Sequence, residues 1–193
     1  VALLTKCMKW RSNLPYKLPT ISSIHTVAFD FDGIFTNNKV LIDQDGRESV
    51  QCDRSDGLAF DLVRAFQKRG LLHADFFIIT TESNPVVLAR AKKLNLVCYH
   101  GIQNKLAFLE ENLSLRFPDE KDFFTGLIYL GNDLNDLSVM KKAGFAIAPC
   151  DAHPCIKEIA NLVIANRGGE GVVRTFVEEW LEINKLTTER LDE

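Results

Sequence analysis

Six short apolar runs, Thr26 to Phe31, Phe76 to Thr80, Leu96 to Tyr99, Leu127 to Leu130, Phe145 to Ala148 and Leu162 to Ile164, are separated by stretches with helical spacing. Runs this short and this uniformly apolar suit strands buried on both faces, because a strand with one wet face would alternate. Between them Leu58, Leu62 and Phe66, then Leu106, Leu109 and Leu113, recur at helical intervals, and Asn84-Pro85 supplies a cap followed by a first-turn proline. Strand and helix in alternation predict an α/β fold built on a Rossmann-like, doubly wound parallel sheet.

One insertion departs from this rhythm. Lys39 to Asp43 and Arg47 to Cys52 flank Asp45-Gly46, a two-residue hairpin signal, so a β-hairpin flap over residues 38 to 53 is expected after the first strand. Nothing inserted is long enough for a large cap domain. Near the end, Val172, Val173, Phe176, Val177, Trp180 and Leu181 form a bulky amphipathic stripe that covers either the core or a neighbouring subunit. Residues 1 to 24 show neither period and read as a linker or N-terminal extension, 25 to 185 as the domain, and 186 to 193 as a tail. The start at Val1 in place of Met leads to the expectation that the chain was cut from a longer polypeptide.

At 193 residues and 46% hydrophobic, the chain can bury one full core. Its 23 Lys and Arg against 26 Asp and Glu leave a net charge of -3, so no broad basic surface exists for nucleic acid or an anionic membrane. No apolar run reaches the length of a membrane span, and a cytoplasmic location is expected. Cys7, Cys52, Cys98, Cys150 and Cys155 are odd in number and lack a CxxC, which argues against a disulfide framework. Cys150, His153 and Cys155 lie close together without a fourth zinc ligand, so loop packing is the better reading.

In open parallel sheets, ligands collect beyond the carboxyl ends of the strands. The polar residues there are Asp30-Phe31-Asp32-Gly33 after the first run, Thr80 after the second, Lys105 in the turn before the next helix, and Gly131-Asn132-Asp133-Leu134-Asn135-Asp136 after the fourth. Phosphoryl transfer requires a nucleophile, a proton donor for the leaving oxygen, and positive charge on the phosphoryl oxygens. Asp30 suits the nucleophile and Asp32 the acid/base, while Thr80 and Lys105 suit phosphoryl binding. Magnesium fits an oxygen-lined site made by Asp30, the Asp32 carbonyl, Asn132, Asp133 and Asp136. Each of these residues alone is more often a turn or surface residue; their order, each at a strand end, is what carries the reading.

The segments Asp30 to Thr36, Thr80, Lys105 and Gly131 to Asp136 resemble the four motifs of the haloacid dehalogenase superfamily, over residues 26 to 183. The flap, the missing cap and Arg167-Gly168-Gly169-Glu170-Gly171-Val172-Val173-Arg174 are similar to the capless branch that dephosphorylates 3-deoxy-manno-octulosonate 8-phosphate and its nine-carbon relatives. That resemblance implies a magnesium-dependent phosphomonoesterase acting on a 2-keto-3-deoxy sugar acid phosphate through an aspartyl-phosphate. It also implies a homotetramer in which a neighbour's flap and Gly-rich tail help close the site, with the amides of Gly168 and Gly169 near the substrate. Gly33, Thr36, Thr81, Glu82, Lys93, Arg167, Gly168, Gly169 and Arg174 are the substrate-binding candidates. Thr81-Glu82 with Lys93 resembles the phosphatases of 2-keto-3-deoxy-nonulosonate 9-phosphate; a Glu82–Lys93 salt bridge on the helix surface is the structural alternative.

Three positions depart from the family pattern: Asn37, Asn104 and Asn132 each stand where an acidic residue is common. Asn132 removes one charge from the metal site, so weaker magnesium affinity is expected unless Asp133 or Asp136 compensates. Similar changes occur in the phosphatase-like domain beside the cytidylyltransferase of sialic acid activating enzymes, which makes a catalytically weak tetramerisation domain the alternative. A receiver domain would place its acidic residues in a different order, and no GxxxxGK[ST] supports a P-loop.

Overall fold

The computed structural model describes residues 17–183. Cys7, residues 1 to 16 of the expected extension and the expected tail at 186 to 193 lie outside the described residues. All six apolar runs are strands of one sheet: β1 (Thr26–Phe29), then β4 (Asp75–Ile79), β5 (Val97–Tyr99), β6 (Leu127–Leu130), β7 (Phe145–Pro149) and β8 (Leu162–Ile164). The intervening β2 (Thr36–Ile42) and β3 (Glu48–Cys52) form the separate antiparallel hairpin. The six-stranded order is β5-β4-β1-β6-β7-β8, with every neighbouring pair parallel. From β1 the chain winds outward to β4 and β5, then returns to place β6 on the other side of β1. The order therefore reverses between β1 and β6, and a crevice opens there beyond their carboxyl ends.

The helices α1 (Ser55–Lys68), α2 (Val86–Leu94), α3 (Lys105–Arg116), α4 (Leu137–Lys142), α5 (Pro154–Ile159) and α6 (Val172–Trp180) cover the sheet. One side buries Phe29, Phe35, Phe60, Phe76, Phe176 and Trp180, whose rings meet at 5.5–6.5 Å in stacked and edge contacts. The other buries Ala28, Phe77, Leu109, Leu113, Tyr129 and Val139. The bulky stripe of α6 thus covers this chain's own core, and Trp180 Nε1 donates to Pro19 O at 3.0 Å. Leu18 and Ile21 pack on that core as well, so residues 17–24 are docked where a linker was expected.

Three local expectations shift. β1 ends at Phe29, two residues early, because Asp30 N makes the last ladder bond, to Leu130 O, and Phe31, Ile34 and Phe35 then turn down into the core. On α1 the buried face is Ala59, Phe60 and Val63, while Leu58 is half exposed; the Leu58, Leu62, Phe66 row runs along the edge of that face. The hairpin turn has three residues, Gln44 to Gly46, in place of two: Asp43 N donates to Arg47 O, Gly46 N to Asp43 O, and Gly46 holds φ +78. Asp43 Oδ1 accepts from Asp45 N and Arg47 N, favouring this wider turn.

Candidate active site

The reversal of strand order brings together residues that are distant in sequence. Asp30 N donates to Leu130 O at 2.9 Å, which sets the end of β1 against the end of β6. The Asp30 carboxylate is buried: Oδ1 accepts from Phe31 N at 2.8 Å and pairs with Lys105 Nζ at 2.7 Å, and Oδ2 has no donor among the described residues. Lys105 was expected in a turn and is instead the first residue of α3. Asn104, one of the three unusual asparagines, caps that helix by accepting from Ala107 N. The same ammonium lies 2.7 Å from Asp136 Oδ1.

Burial pushes Asp30 above the ordinary carboxylate range, and the Asp136 charge adds to this while Lys105 pulls it down. For Lys105, burial opposes the charge, but the two carboxylates outweigh it and raise its pKa. An ammonium between two buried carboxylates stays charged.

Asp32 is half-buried, and Thr36 Oγ1 donates to its Oδ1 at 3.1 Å. That hydroxyl is itself oriented by Gly33 N and Asn38 N, which both donate to it. Burial raises the Asp32 pKa, the Thr36 bond lowers it, and the nearby Glu82 and Glu48 charges raise it again. Thr80, buried at the end of β4, accepts from Glu82 N, leaving its hydroxyl proton to donate elsewhere. Asp30, Asp32, Asn38, Asn132, Asp133, Leu134 and Asn135 line one cleft of about 280 Å³.

Asp136 is not placed as a metal ligand. It is fully buried, with Lys105 Nζ and Tyr129 Oη on Oδ1 and the amides of Asn132 and Asp133 on Oδ2, so four donors saturate it. Asp133 faces the cleft and caps the short 3-10 helix Leu134–Asp136 through Leu134 N. The Asn132 side chain lies over Gly33, where a Cβ would fall 1.8 Å from Asn132 Nδ2; Gly33 also holds φ +73. No three His, Cys, Asp or Glu side chains converge as a metal cluster among the described residues. With Asp136 removed, the oxygen-bearing residues around the cleft are Asp30, Asp32, Asn132 and Asp133, with Asn38 and Asn135 beside them. This sparse, hard donor set fits magnesium, which keeps several waters, with one charge fewer than an acidic residue at 132 would give.

The amides of the Gly-rich segment are engaged within the chain. Gly168 N donates to Asp151 Oδ1 at 3.0 Å and Gly169 N to Ile34 O at 3.0 Å, so both amides are bonded within this chain. A Cβ on Gly168 would fall 2.0 Å from Gly33 O, and one on Gly169 2.5 Å from Asn37 N. These glycines let the segment lie against the loop that carries Asp32. Arg167 is exposed and pairs with Asp151 at 3.5 Å. Arg174 turns to Glu178 while its amide donates to Asp56 Oδ1. Neither arginine lines the cleft.

Glu82 Oε1 accepts from Ser83 N and Asn84 N at 2.7 Å each, Thr81 is half-buried beside it, and Lys93 is exposed. No Glu82–Lys93 ion pair forms, so the surface salt bridge is not observed. His153 caps α5, Nδ1 accepting from Cys155 N. Asn37 Oδ1 accepts from Lys39 N at the base of the flap.

Sequence reasoning passed over Asn38, Asp151 and Tyr129. Asn38 reaches the cleft rim through a left-handed conformation, φ +59, that its neighbours do not announce. Asp151 follows β7, and its place just past a strand end is the signal that could have found it. Tyr129 had a visible signal, the one polar tip in the run Leu127 to Leu130.

No family model matches the chain. Among curated proteins it is 30% identical over 175 residues to the 3-deoxy-D-manno-octulosonate 8-phosphate phosphatase KdsC of Escherichia coli K12, covering 89% of this chain and 84% of that one. The KdsC of Salmonella typhimurium is 29% identical over 181 residues, 93% of this chain and 88% of the other. Among solved structures, a Streptomyces avermitilis protein assigned to the HAD (haloacid dehalogenase) family hydrolases superposes with a TM-score of 0.73 at 37% identity, over 84% of this chain and 93% of that one. A 3-deoxy-D-manno-octulosonate 8-phosphate phosphatase of Moraxella catarrhalis, in complex with magnesium, phosphate and KDO, gives 0.72 at 27% identity, over 84% and 88%.

Proposed function

Since this chain belongs to the KdsC-type phosphatases of the haloacid dehalogenase superfamily, we propose that it hydrolyses the phosphomonoester of a 2-keto-3-deoxy sugar acid through an aspartyl-phosphate on Asp30. The observation that carries this reading is the Asp30 carboxylate, held by Lys105 on one oxygen, free on the other, at the floor of a cleft walled by Asp32 and Asn132.

In the first step an Asp30 oxygen forms a bond to phosphorus as the bond from phosphorus to the sugar oxygen breaks, and Asp32 gives its proton to the departing alkoxide. Burial, which favours the protonated Asp32, and the Thr36 bond, which fixes its direction, both suit that role. In the second step Asp32 takes a proton from water as the water oxygen attacks phosphorus, releasing phosphate and restoring Asp30. Lys105 and Thr80 donate to the phosphoryl oxygens. Asp30, the Asp32 carbonyl, Asn132 and Asp133 would hold magnesium, which when bound would supply further positive charge to those oxygens.

The relatives named above support the eight-carbon substrate, octulosonate 8-phosphate. The nine-carbon reading rests on Glu82 and Lys93, and one oxygen of the Glu82 carboxylate, Oε1, accepts from two backbone amides of its own loop. We propose a homotetramer, because Val40, Leu41 and Ile42 of the flap are 50%, 73% and 64% exposed and a neighbouring subunit would cover them. A weak assembly domain beside a cytidylyltransferase draws no support from these phosphatase relatives. The deciding measurement is phosphate release from eight- and nine-carbon keto-sugar phosphates across a magnesium titration, with Asp30→Asn as control and light scattering for the oligomer. Release abolished by Asp30→Asn is expected; release that survives the substitution, or none at any magnesium concentration from a folded protein, would overturn the reading.

A further inference from the structure

We propose that Tyr129 is a positioning residue for phosphoryl transfer, its hydroxyl acting through Asp136 to hold the Lys105 ammonium against Asp30. This rests on the function proposed above.

Tyr129 is the third residue of β6 and is fully buried, its ring packed among Ala28, Phe77 and Val139. Phenylalanine would fill that space without the burden of a hydroxyl, and a buried hydroxyl is tolerated only when bonded. This one donates to Asp136 Oδ1 at 2.7 Å. The same oxygen receives Lys105 Nζ at 2.7 Å, and Lys105 Nζ is also 2.7 Å from Asp30 Oδ1. The ammonium is therefore shared between two buried carboxylates, and its position follows the balance of their attractions.

Three other donors reach Asp136, and each has its own task. The amides of Asn132 and Asp133 fix Oδ2 and with it the loop after β6, and Lys105 is the group being positioned. Tyr129 alone is a neutral side-chain donor on the oxygen that competes with Asp30. By engaging that oxygen it weakens the pull of Asp136 on the ammonium. With the hydroxyl removed, Lys105 is drawn toward Asp136 and away from the nucleophile and the phosphoryl group. The loss should appear where charge develops on the phosphoryl oxygens, not where substrate first binds.

The test uses the full chain with magnesium, the variants Tyr129→Phe, Lys105→Met and the double variant, and two probes: orthovanadate, which mimics the five-coordinate phosphorus, and inorganic phosphate. Tyr129→Phe should weaken vanadate about tenfold and lower kcat about tenfold, with KM and phosphate affinity held within about twofold. In the Lys105→Met background the same substitution should change vanadate affinity by less than about twofold, because the group it acts through is gone. A vanadate-to-phosphate affinity ratio unchanged by Tyr129→Phe would overturn the proposal; this ratio does not depend on the folded fraction, so lost stability cannot imitate either result. A Tyr129 effect that persists undiminished without Lys105 would overturn it too. Wild-type protein that binds vanadate but fails on the ratio refutes Tyr129 alone. Wild-type protein that neither binds vanadate nor releases phosphate refutes the function, and the positioning role with it.

Discussion

Lys105 Nζ stands 2.7 Å from Asp30 Oδ1 and 2.7 Å from Asp136 Oδ1, so a single cation keeps two fully buried carboxylates in one pocket. Replacing it with methionine leaves both acids without a counter-charge. Lys105→Met should reduce stability by roughly 3–5 kcal/mol, as expected for breaking a buried pair, and lower kcat by at least about 100-fold. Urea unfolding and phosphate release measure the two effects. Adding Asp30→Asn should restore part of the stability and none of the activity; a double variant no more stable than Lys105→Met would refute the electrostatic origin of the loss.

Asn132 places a neutral amide where the donor set around the cleft has few charges, and an aspartate there has the same shape, so Gly33 can still accommodate it. Asn132→Asp should lower the half-activating magnesium concentration about tenfold. Without magnesium the new charge faces Asp30 and Asp32, so the melting temperature should fall in chelator and rise again on adding the ion. A variant whose stability ignores magnesium would show that residue 132 is no ligand.

The sheet was legible because each of its six strands is an unbroken apolar run, and the strand ends carrying Asp30, Thr80 and Gly131 followed from that alone. Side-chain destinations were less so. Asp136 and Asp133 look equivalent in sequence, yet one is buried beneath four donors and the other faces the cleft, a difference made by one 3-10 turn. Gly168 and Gly169 suggested amides offered to a ligand, whereas the missing Cβ atoms serve a backbone approach to Gly33 and Asn37, from strand ends more than a hundred residues apart. Nothing in a linear sequence marks which backbone will be approached. Tyr129 shows the same limit from the other side: its ring reads as core, and only its partner gives the hydroxyl a meaning.

Gly168 has room for hydrogen alone. A Cβ would lie 2.0 Å from Gly33 O, and because the obstacle is backbone, the loop bearing Asp32 and Thr36 must move. Gly168→Ala should therefore cost about 3 kcal/mol, near the upper end for overpacking, and lower kcat as Asp32 shifts. Gly46 offers a contrast: its Cβ would meet nothing within 4 Å, and only its φ of +78 opposes alanine, at about 1–2 kcal/mol. Melting curves should rank Gly168→Ala as the more damaging, with kcat untouched in Gly46→Ala.

Asp56, at the start of α1, is fully buried with Oδ1 accepting from Arg174 N at 3.0 Å and Oδ2 without a partner. Burial lifts its pKa to about 7, more than the bond from Arg174 and the charges of Arg90 and Arg174 can offset, and the Asp53 charge adds to the rise. Because the folded value lies above the unfolded one, near 4, the folded state binds the extra proton between these limits. Its contribution is complete below pH 4 and is lost as pH rises through about 7. Asp56→Asn keeps the acceptor for Arg174 and has no proton to lose. It should therefore flatten the stability profile between pH 4 and 8 and leave the variant as stable as wild type, or more so, at the upper end. Unfolding free energies measured at intervals across that range decide the matter: a wild-type profile that climbs from pH 5 to 7, and falls below the variant only in acid, would mean that Asp56 is held as a carboxylate.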